Sequence, residues 1–216
     1  EIANVSDQFA QLAIQGPMAQ EILQKIADVD LSTIKFFWFN PTVKIAGAEC
    51  IVSRTGYTGE DGFEIYLKPD KAINVWEAIL TAGGDNISPI GLGARDSLRF
   101  EAKLPLYGQE IDKDITPLEA KLGFFVKLDN DDFIGKSVLV KQKEDGLARV
   151  QVEFELVGKG IPRPHYEVQK DGVNIGVVTT GMQAPFLKKN IGLALIKKEY
   201  ANPEEEIDII IRNKPV

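Results

Sequence analysis

The segment Arg54-Thr55-Gly56-Tyr57-Thr58-Gly59-Glu60-Asp61-Gly62-Phe63-Glu64-Ile65 constrains this chain more than any other. Three glycines in seven residues, Gly56, Gly59 and Gly62, predict a sharply bent loop. Ile45 to Ser53 before it reads as a strand, and Phe63 to Lys68 after it reads as another. Backbone must therefore bend tightly between two strands. A bare turn needs fewer glycines and fewer polar groups. This loop also carries two acids and the hydroxyls of Tyr57 and Thr58. It looks built to bring backbone close to a ligand.

The flanking segments give the organisation. Phe9 to Ile14 reads as a buried strand, broken by Gly16-Pro17. Pro17 suits the first turn of a helix with an apolar face of Met18, Ile22, Leu23 and Ile26. Ile34 to Phe39 reads as a strand. Asp70 is placed to cap a helix bearing Ile73, Val75, Trp76, Ile79 and Leu80, which Gly83 and Gly84 end. Another helix runs from about Leu92 to Ala102. After about Tyr107 the chain changes character, through Thr116-Pro117-Leu118-Glu119, a short strand near Phe124 to Leu128 and a short helix over Gly135 to Glu144. From Ala148 strand patterns dominate. Lys170-Asp171-Gly172 reads as a hairpin turn between His165–Gln169 and Val173–Thr180, and Ile191 to Ile196 and Ile207 to Ile211 add strands. The expected fold class is α+β, with an α/β region over 1–146 and a small all-β barrel or sandwich over 147–216.

Composition narrows the partners. At 216 residues, 44% hydrophobic and 26% charged, the chain can bury an ordinary core. A net charge of −7 argues against nucleic acid or an anionic membrane as the main partner. No apolar run approaches the roughly 20 residues of a membrane span. The single Cys50, set among apolar residues, reads as a buried small side chain and cannot form an internal disulfide, which fits a cytoplasmic setting. Both ends run close to strand patterns, so the sequence reads as a piece of a longer protein.

Few residues carry chemistry. Glu64 alternates with Phe63, Ile65 and Leu67, which puts it on one strand face with Tyr66 and Lys68. That face reads either as solvated or as a recognition surface, since a carboxylate can accept paired N–H donors from a flat, amidine-like ring edge. Arg95 falls in the first turn of its helix, where a cation opposes the helix dipole at a cost of about 0.3–1 kcal/mol. It reads either as a surface ion pair or as a functional residue, and Arg99 could share its face. His165, the one histidine, has no Ser or Cys pattern beside it and reads as structural. No zinc or calcium pattern is present, Asp129-Asn130-Asp131-Asp132 reads as a solvated turn, and Gly158-Lys159-Gly160 is too short for a phosphate loop.

Taken in order, these pieces resemble a known family. They are Leu12-Ala13-Ile14-Gln15-Gly16-Pro17, the glycine loop through Ile65, Gly91-Leu92-Gly93-Ala94-Arg95-Asp96-Ser97-Leu98-Arg99-Phe100-Glu101-Ala102 and Leu106-Tyr107-Gly108. Thr116-Pro117-Leu118-Glu119, Phe133-Ile134-Gly135-Lys136, Gly160-Ile161-Pro162-Arg163 and Thr179-Thr180-Gly181 follow. The chain resembles the aminomethyltransferases, or T-proteins, of the glycine cleavage system. The resemblance implies passage of a one-carbon unit from the aminomethyl-lipoyl arm of H-protein to tetrahydrofolate, with release of ammonia and no metal. It implies folate-binding α/β domains, here partial, followed by a C-terminal barrel cut short at its end. It places Glu64 and Arg95 on folate-binding positions, with Glu64 on the pterin and Tyr57 lining the site. The family's key aspartate is expected before Glu1 and a closing tyrosine after Val216, so no catalytic residue is expected in this chain and the piece alone should be inactive. Val152-Glu153 departs from the Val-Gly common in the family. Relatives with the same module are a non-enzymatic folate-binding protein and the dimethylglycine and sarcosine dehydrogenases. The Glu60-Asp61-Gly62 form of the loop resembles the transferase more, and no flavin dinucleotide fingerprint is present.

Overall fold

Strict alternation in Phe63-Glu64-Ile65-Tyr66-Leu67 sends Phe63, Ile65 and Leu67 into a core and leaves Glu64 and Tyr66 on the opposite face. In the computed structural model, which describes residues 2–216, this is strand β4, Gly62–Leu67. It lies inside an antiparallel sheet with β1 (Ala10–Gln15), β2 (Phe39–Ile45) and β3 (Ala48–Ser53), in the order β1-β4-β3-β2. The register sets Ala13 and Ser53 on either side of Glu64. Helices α1 (Ala19–Gln24) and α2 (Ala72–Gly83) contribute Ile22, Leu23, Val75 and Ile79 to a core that also holds Ile14, Val43, Cys50 and Val52. The other face of the sheet carries Gln11, Ser53, Glu64 and Tyr66, the polar half of the alternation. Helix α3 (Leu92–Glu101) completes this unit, which spans Glu1–Leu104.

Three expectations fail in this unit. Ile34 to Phe39 is not a strand. Leu31–Thr33 forms a short 3-10 turn capped by Asp30, Phe37 sits at φ 65°, and the strand begins only at Phe39. Ile34 is buried while Phe36, Phe37, Trp38 and Phe39 are all exposed, so the run lacks the two-residue period a strand requires. Ile45 to Ser53 is broken by Ala46 and Gly47, whose φ values of 49° and 82° form the tight turn of a β2–β3 hairpin. Asp70 does not cap α2: Pro69–Lys71 forms a 3-10 turn first, and the Asp70 carboxylate lies 3.3 Å from Lys71 Nζ. The end of α2 is as expected, with Gly84 at φ 52°.

The second compact unit is Pro105–Val216. Thr116 and Glu119 form a reciprocal cap: the Thr116 amide donates to Glu119 Oε2 at 2.8 Å, and the Glu119 amide donates to Thr116 Oγ1 at 3.3 Å. Phe124 to Leu128 is not a strand; Gly123–Phe125 is a 3-10 turn with both phenylalanines exposed. Helix α4 spans Lys136–Asp145. Strands β5 (Arg149–Glu155), β6 (Glu167–Lys170), β7 (Val173–Gln183), β8 (Asn190–Lys197), β9 (Asp208–Ile211) and β10 (Lys214–Pro215) form one antiparallel sheet in the order β10-β9-β6-β7-β8-β5. Asp171 and Gly172, at φ 51° and 78°, make the β6–β7 turn. The two ends of that order meet. A Cβ on Gly158, just past β5, would lie 2.5 Å from Val216 Cγ1, and Leu156 shares a core with Ile209 and Val216. That is the curvature of a small barrel.

Candidate functional site

The glycine loop is built around a side chain, Gln15, at the end of β1. Gln15 Nε2 donates to the Thr55 carbonyl at 3.1 Å, and Thr58 Oγ1 donates to Gln15 Oε1 at 3.1 Å. A Cβ on Gly56 would fall 1.8 Å from Gln15 Oε1, and one on Gly62 would fall 2.5 Å from Gln15 Nε2. Gly59 holds φ 79° with its Cβ position 2.6 Å from Ala102 Cβ. The close approach that these glycines permit is to Gln15 and to Ala102 of the chain itself. This corrects the expectation that they are there to admit a ligand. Arg54 ties the base of the loop: Nε donates to Asp61 Oδ1 at 2.9 Å and Nη2 to Asp61 Oδ2 at 2.6 Å. The Arg54 hydrogen bond holds the Asp61 carboxyl below its ordinary range, and Asp61 in turn raises Arg54. The Gly16 amide donates to the Asp61 carbonyl at 2.8 Å, joining the loop to the turn after β1.

Glu64 projects from the sheet face away from the core and is half-buried. Gln11 Nε2 donates to its Oε1 at 2.7 Å, and the Thr55 hydroxyl donates to its Oε2. Ser53 Oγ lies 2.7 Å from Thr55 Oγ1. Tyr66 neighbours this group, and its hydroxyl is pushed above its ordinary value, first by burial and then by the Glu64 charge. Gln11 and Thr55 thus take one lone pair on each Glu64 oxygen, and the Tyr66 hydroxyl stands beside the same carboxylate. A carboxylate can accept two donors per oxygen, and two parallel N–H donors on a ring edge would use that capacity.

Tyr57 and Arg95 meet. The Arg95 guanidinium carbon lies 4.4 Å from the Tyr57 ring centroid, a cation–π contact between the loop and the first turn of α3. Arg95 is exposed and Tyr57 half-buried. Arg99 does not share the Arg95 face. It is 0% exposed, with Nε 2.8 Å from Asp96 Oδ1 and Nη1 3.2 Å from the Leu104 carbonyl. Asp96 is therefore engaged by Arg99. The structure joins Tyr57 to Arg95 directly, while the bonds of Glu64 run to Gln11 and Thr55. Sequence reasoning missed Gln11, Gln15 and Thr55. The even spacing of the two glutamines along β1 placed them on the Glu64 face.

The remaining candidates are quiet. Cys50 is buried with its thiol 3.3 Å from the Ala48 carbonyl, and burial pushes that thiol up. His165 is exposed, and its amide donates to Val178 O at 2.8 Å. Among the described residues no group of three or more His, Cys, Asp or Glu side chains is placed to hold a metal, and no helix is long and apolar enough to cross a membrane.

Residues 1–130 match the GCVT N-terminal domain, and residues 149–216 match the glycine cleavage T-protein C-terminal barrel domain. The chain is 65% identical to an aminomethyltransferase of Caldanaerobacter subterraneus subsp. tengcongensis, across 100% of the chain and 58% of that protein. It is 60% identical to an aminomethyltransferase of a Thermoanaerobacter species, across 100% of the chain and 59% of that protein. The crystal structure of the glycine cleavage system aminomethyltransferase T from Bartonella henselae superposes with a TM-score of 0.86 at 28% identity, covering 96% of the chain and 56% of that structure. The chain thus spans less than two thirds of the length of these proteins. With both of its parts matched in order, the chain belongs to the glycine cleavage T-protein family.

Proposed function

We propose that this chain is part of a tetrahydrofolate-dependent aminomethyltransferase. In this reading the whole protein takes an aminomethyl group from the lipoyl arm of H-protein. It passes the carbon to tetrahydrofolate and releases ammonia. The observation that carries the reading is the Glu64 carboxylate, presented on the open sheet face with one lone pair per oxygen unspent by Gln11 and Thr55. A pterin edge offers a ring N–H beside an amino group, the paired donors such a carboxylate accepts. The Tyr57 ring, backed by Arg95, adds an aromatic surface with a fixed positive charge behind it. The role of this chain is binding and orientation.

The setting follows from the same reading. H-protein and tetrahydrofolate are the partners, the compartment is the cytoplasm, and the division into an α/β region over 1–146 and a barrel over 147–216 separates the folate-reading sheet from the barrel. The test uses the protein at the full length of its relatives. Lipoylated, glycine-loaded H-protein and tetrahydrofolate should together release ammonia, and omitting folate should abolish the release. Folate binding without any response to H-protein would instead indicate a binding protein of the same module. Glu64→Ala should weaken tetrahydrofolate binding by about 1.5–3 kcal/mol, the worth of a charged hydrogen bond. An unchanged dissociation constant would remove Glu64 from the site.

A further inference from the structure

We infer that Gln11 and Thr55 are positioning residues for the Glu64 carboxylate, fixing the angle at which it meets the donor edge of a flat heteroaromatic ring. The inference rests on the reading of Glu64 as the ring-binding group. A half-buried glutamate in mid-strand ordinarily samples several rotamers, and a ligand would have to select one of them. Here two separate segments hold the side chain, one on each oxygen. Gln11 lies opposite Tyr66 in the β1–β4 register, so its amide reaches diagonally to Oε1 at 2.7 Å. Thr55 follows β3, whose Ser53 is the register partner of Glu64, and its hydroxyl donates to Oε2. A hydroxyl has one proton, and Thr55 commits its proton to Glu64. Ser53 therefore donates across the 2.7 Å contact to Thr55 Oγ1, which fixes the direction of the whole chain of bonds.

The arrangement also keeps Glu64 an acceptor. Ser53, Thr55 and Gln11 all donate toward the carboxylate, with the Tyr66 hydroxyl beside it, so Glu64 meets an incoming ring as an acceptor. These bonds lie on the open sheet face, where such contacts add little to stability. Their effect is to order the carboxylate before the ligand arrives.

The experiment is a double-mutant cycle in the full-length protein, reading the tetrahydrofolate dissociation constant by fluorescence titration and the melting temperature by calorimetry. Thr55→Val should raise the dissociation constant about tenfold, the order of one hydrogen bond to a charged group, and leave the melting temperature close to that of the parent. Thr55→Ser, which keeps the hydroxyl, should restore affinity. Adding Thr55→Val to Glu64→Ala should weaken binding no further, because the hydroxyl acts only through the carboxylate. Gln11→Met, at an exposed position, provides the same comparison should Thr55→Val fold poorly. Loss of affinity in Glu64→Ala but parental affinity in Thr55→Val and Gln11→Met would overturn the positioning role alone. So would additive losses in the double variant. Parental affinity in Glu64→Ala would overturn the underlying assignment of Glu64.

Discussion

Arg54 and Asp61 close the base of the glycine loop with a two-pronged ion pair, and this makes the loop's hold on β1 sensitive to acid. Asp61 is held below its ordinary value of 3.8 chiefly by the Arg54 hydrogen bond. A depressed carboxyl pKa adds stability that is complete above the unfolded value and disappears as pH falls through the folded one. The contribution is therefore present at neutral pH and lost below 3.8. The Asp61 side chain is 38% exposed, so solvent screens the pair and its worth is at the upper end of a surface bridge, about 1 kcal/mol. Asp61→Asn should lower unfolding free energy by about that amount at pH 7 and by a smaller amount near pH 3, measured by urea denaturation at both values. An equal loss at both pH values would show that the side chain acts through shape and not charge. The same carboxylate explains why Glu60-Asp61-Gly62 was legible as a motif while its role was not. The sequence shows an acid beside glycines, but Arg54 Nε at 2.9 Å becomes its partner only once the loop has bent back on itself.

At the scale of elements, Thr116-Pro117-Leu118-Glu119 shows a short motif becoming a joint. The cap that Thr116 and Glu119 form would be routine on an exposed helix. Here Glu119 is buried, its Oε1 accepts from Arg149 Nε at 2.7 Å, and its carbonyl accepts from the Gln151 amide at 2.8 Å. One residue thus caps its own turn and anchors β5. Burial pushes the Glu119 carboxyl up, but the bonds from Arg149 and Thr116 outweigh that and hold it below its ordinary value of 4.5. Its contribution is present above that value and lost as acid protonates it. Glu119→Ala should destabilise this unit by about 2–3 kcal/mol at pH 7, combining a lost cap with a lost charged hydrogen bond, measured by chemical denaturation. A loss under half a kilocalorie would mean that water replaces both bonds, about the level of an exposed pair. Elements with a clear period were readable in advance: β1, β4, α2, α3 and the barrel strands β5 to β9 follow their alternation or their helical face, while the two-residue β10 was not read. Those read wrongly lacked a period. Phe36 to Phe39 and Phe124-Phe125 are apolar runs whose rings face solvent, and apolar content alone does not distinguish a strand from an exposed turn. Among the candidate residues, Glu64 and Arg95 were singled out by strand alternation, helix position and family motifs. Gln11 and Thr55 stayed hidden because their value depends on register across three strands.

At the scale of the whole chain, the two units have separate cores. One gathers Ile14, Leu23, Val52, Phe63 and Ile65, and the other gathers Val168, Ile175, Val178, Ala194 and Ile209. Among the described residues, the buried members of the first core run from Ile14 to Ile79 and those of the second from Leu156 to Ile209. A chain with two independent cores should not unfold as one cooperative step. The reporters happen to be segregated. Both tryptophans, Trp38 and Trp76, lie in the unit Glu1–Leu104, so tryptophan fluorescence follows that unit while far-UV circular dichroism follows both. Leu23 is 0% exposed in the first core, and Leu23→Ala should cost about 2–5 kcal/mol and move the fluorescence transition to lower urea. Val168 is 0% exposed in the second, and Val168→Ala should shift a part of the dichroism transition while leaving the fluorescence midpoint in place. Fluorescence and dichroism curves that coincide, and move together in both variants, would show that the units fold as one and that separate cores do not mean separate stability. Two resolved transitions would mean that the sheet presenting Glu64 keeps its geometry on its own core, so that variants of the barrel can be used to probe the rest of the protein without disturbing the carboxylate.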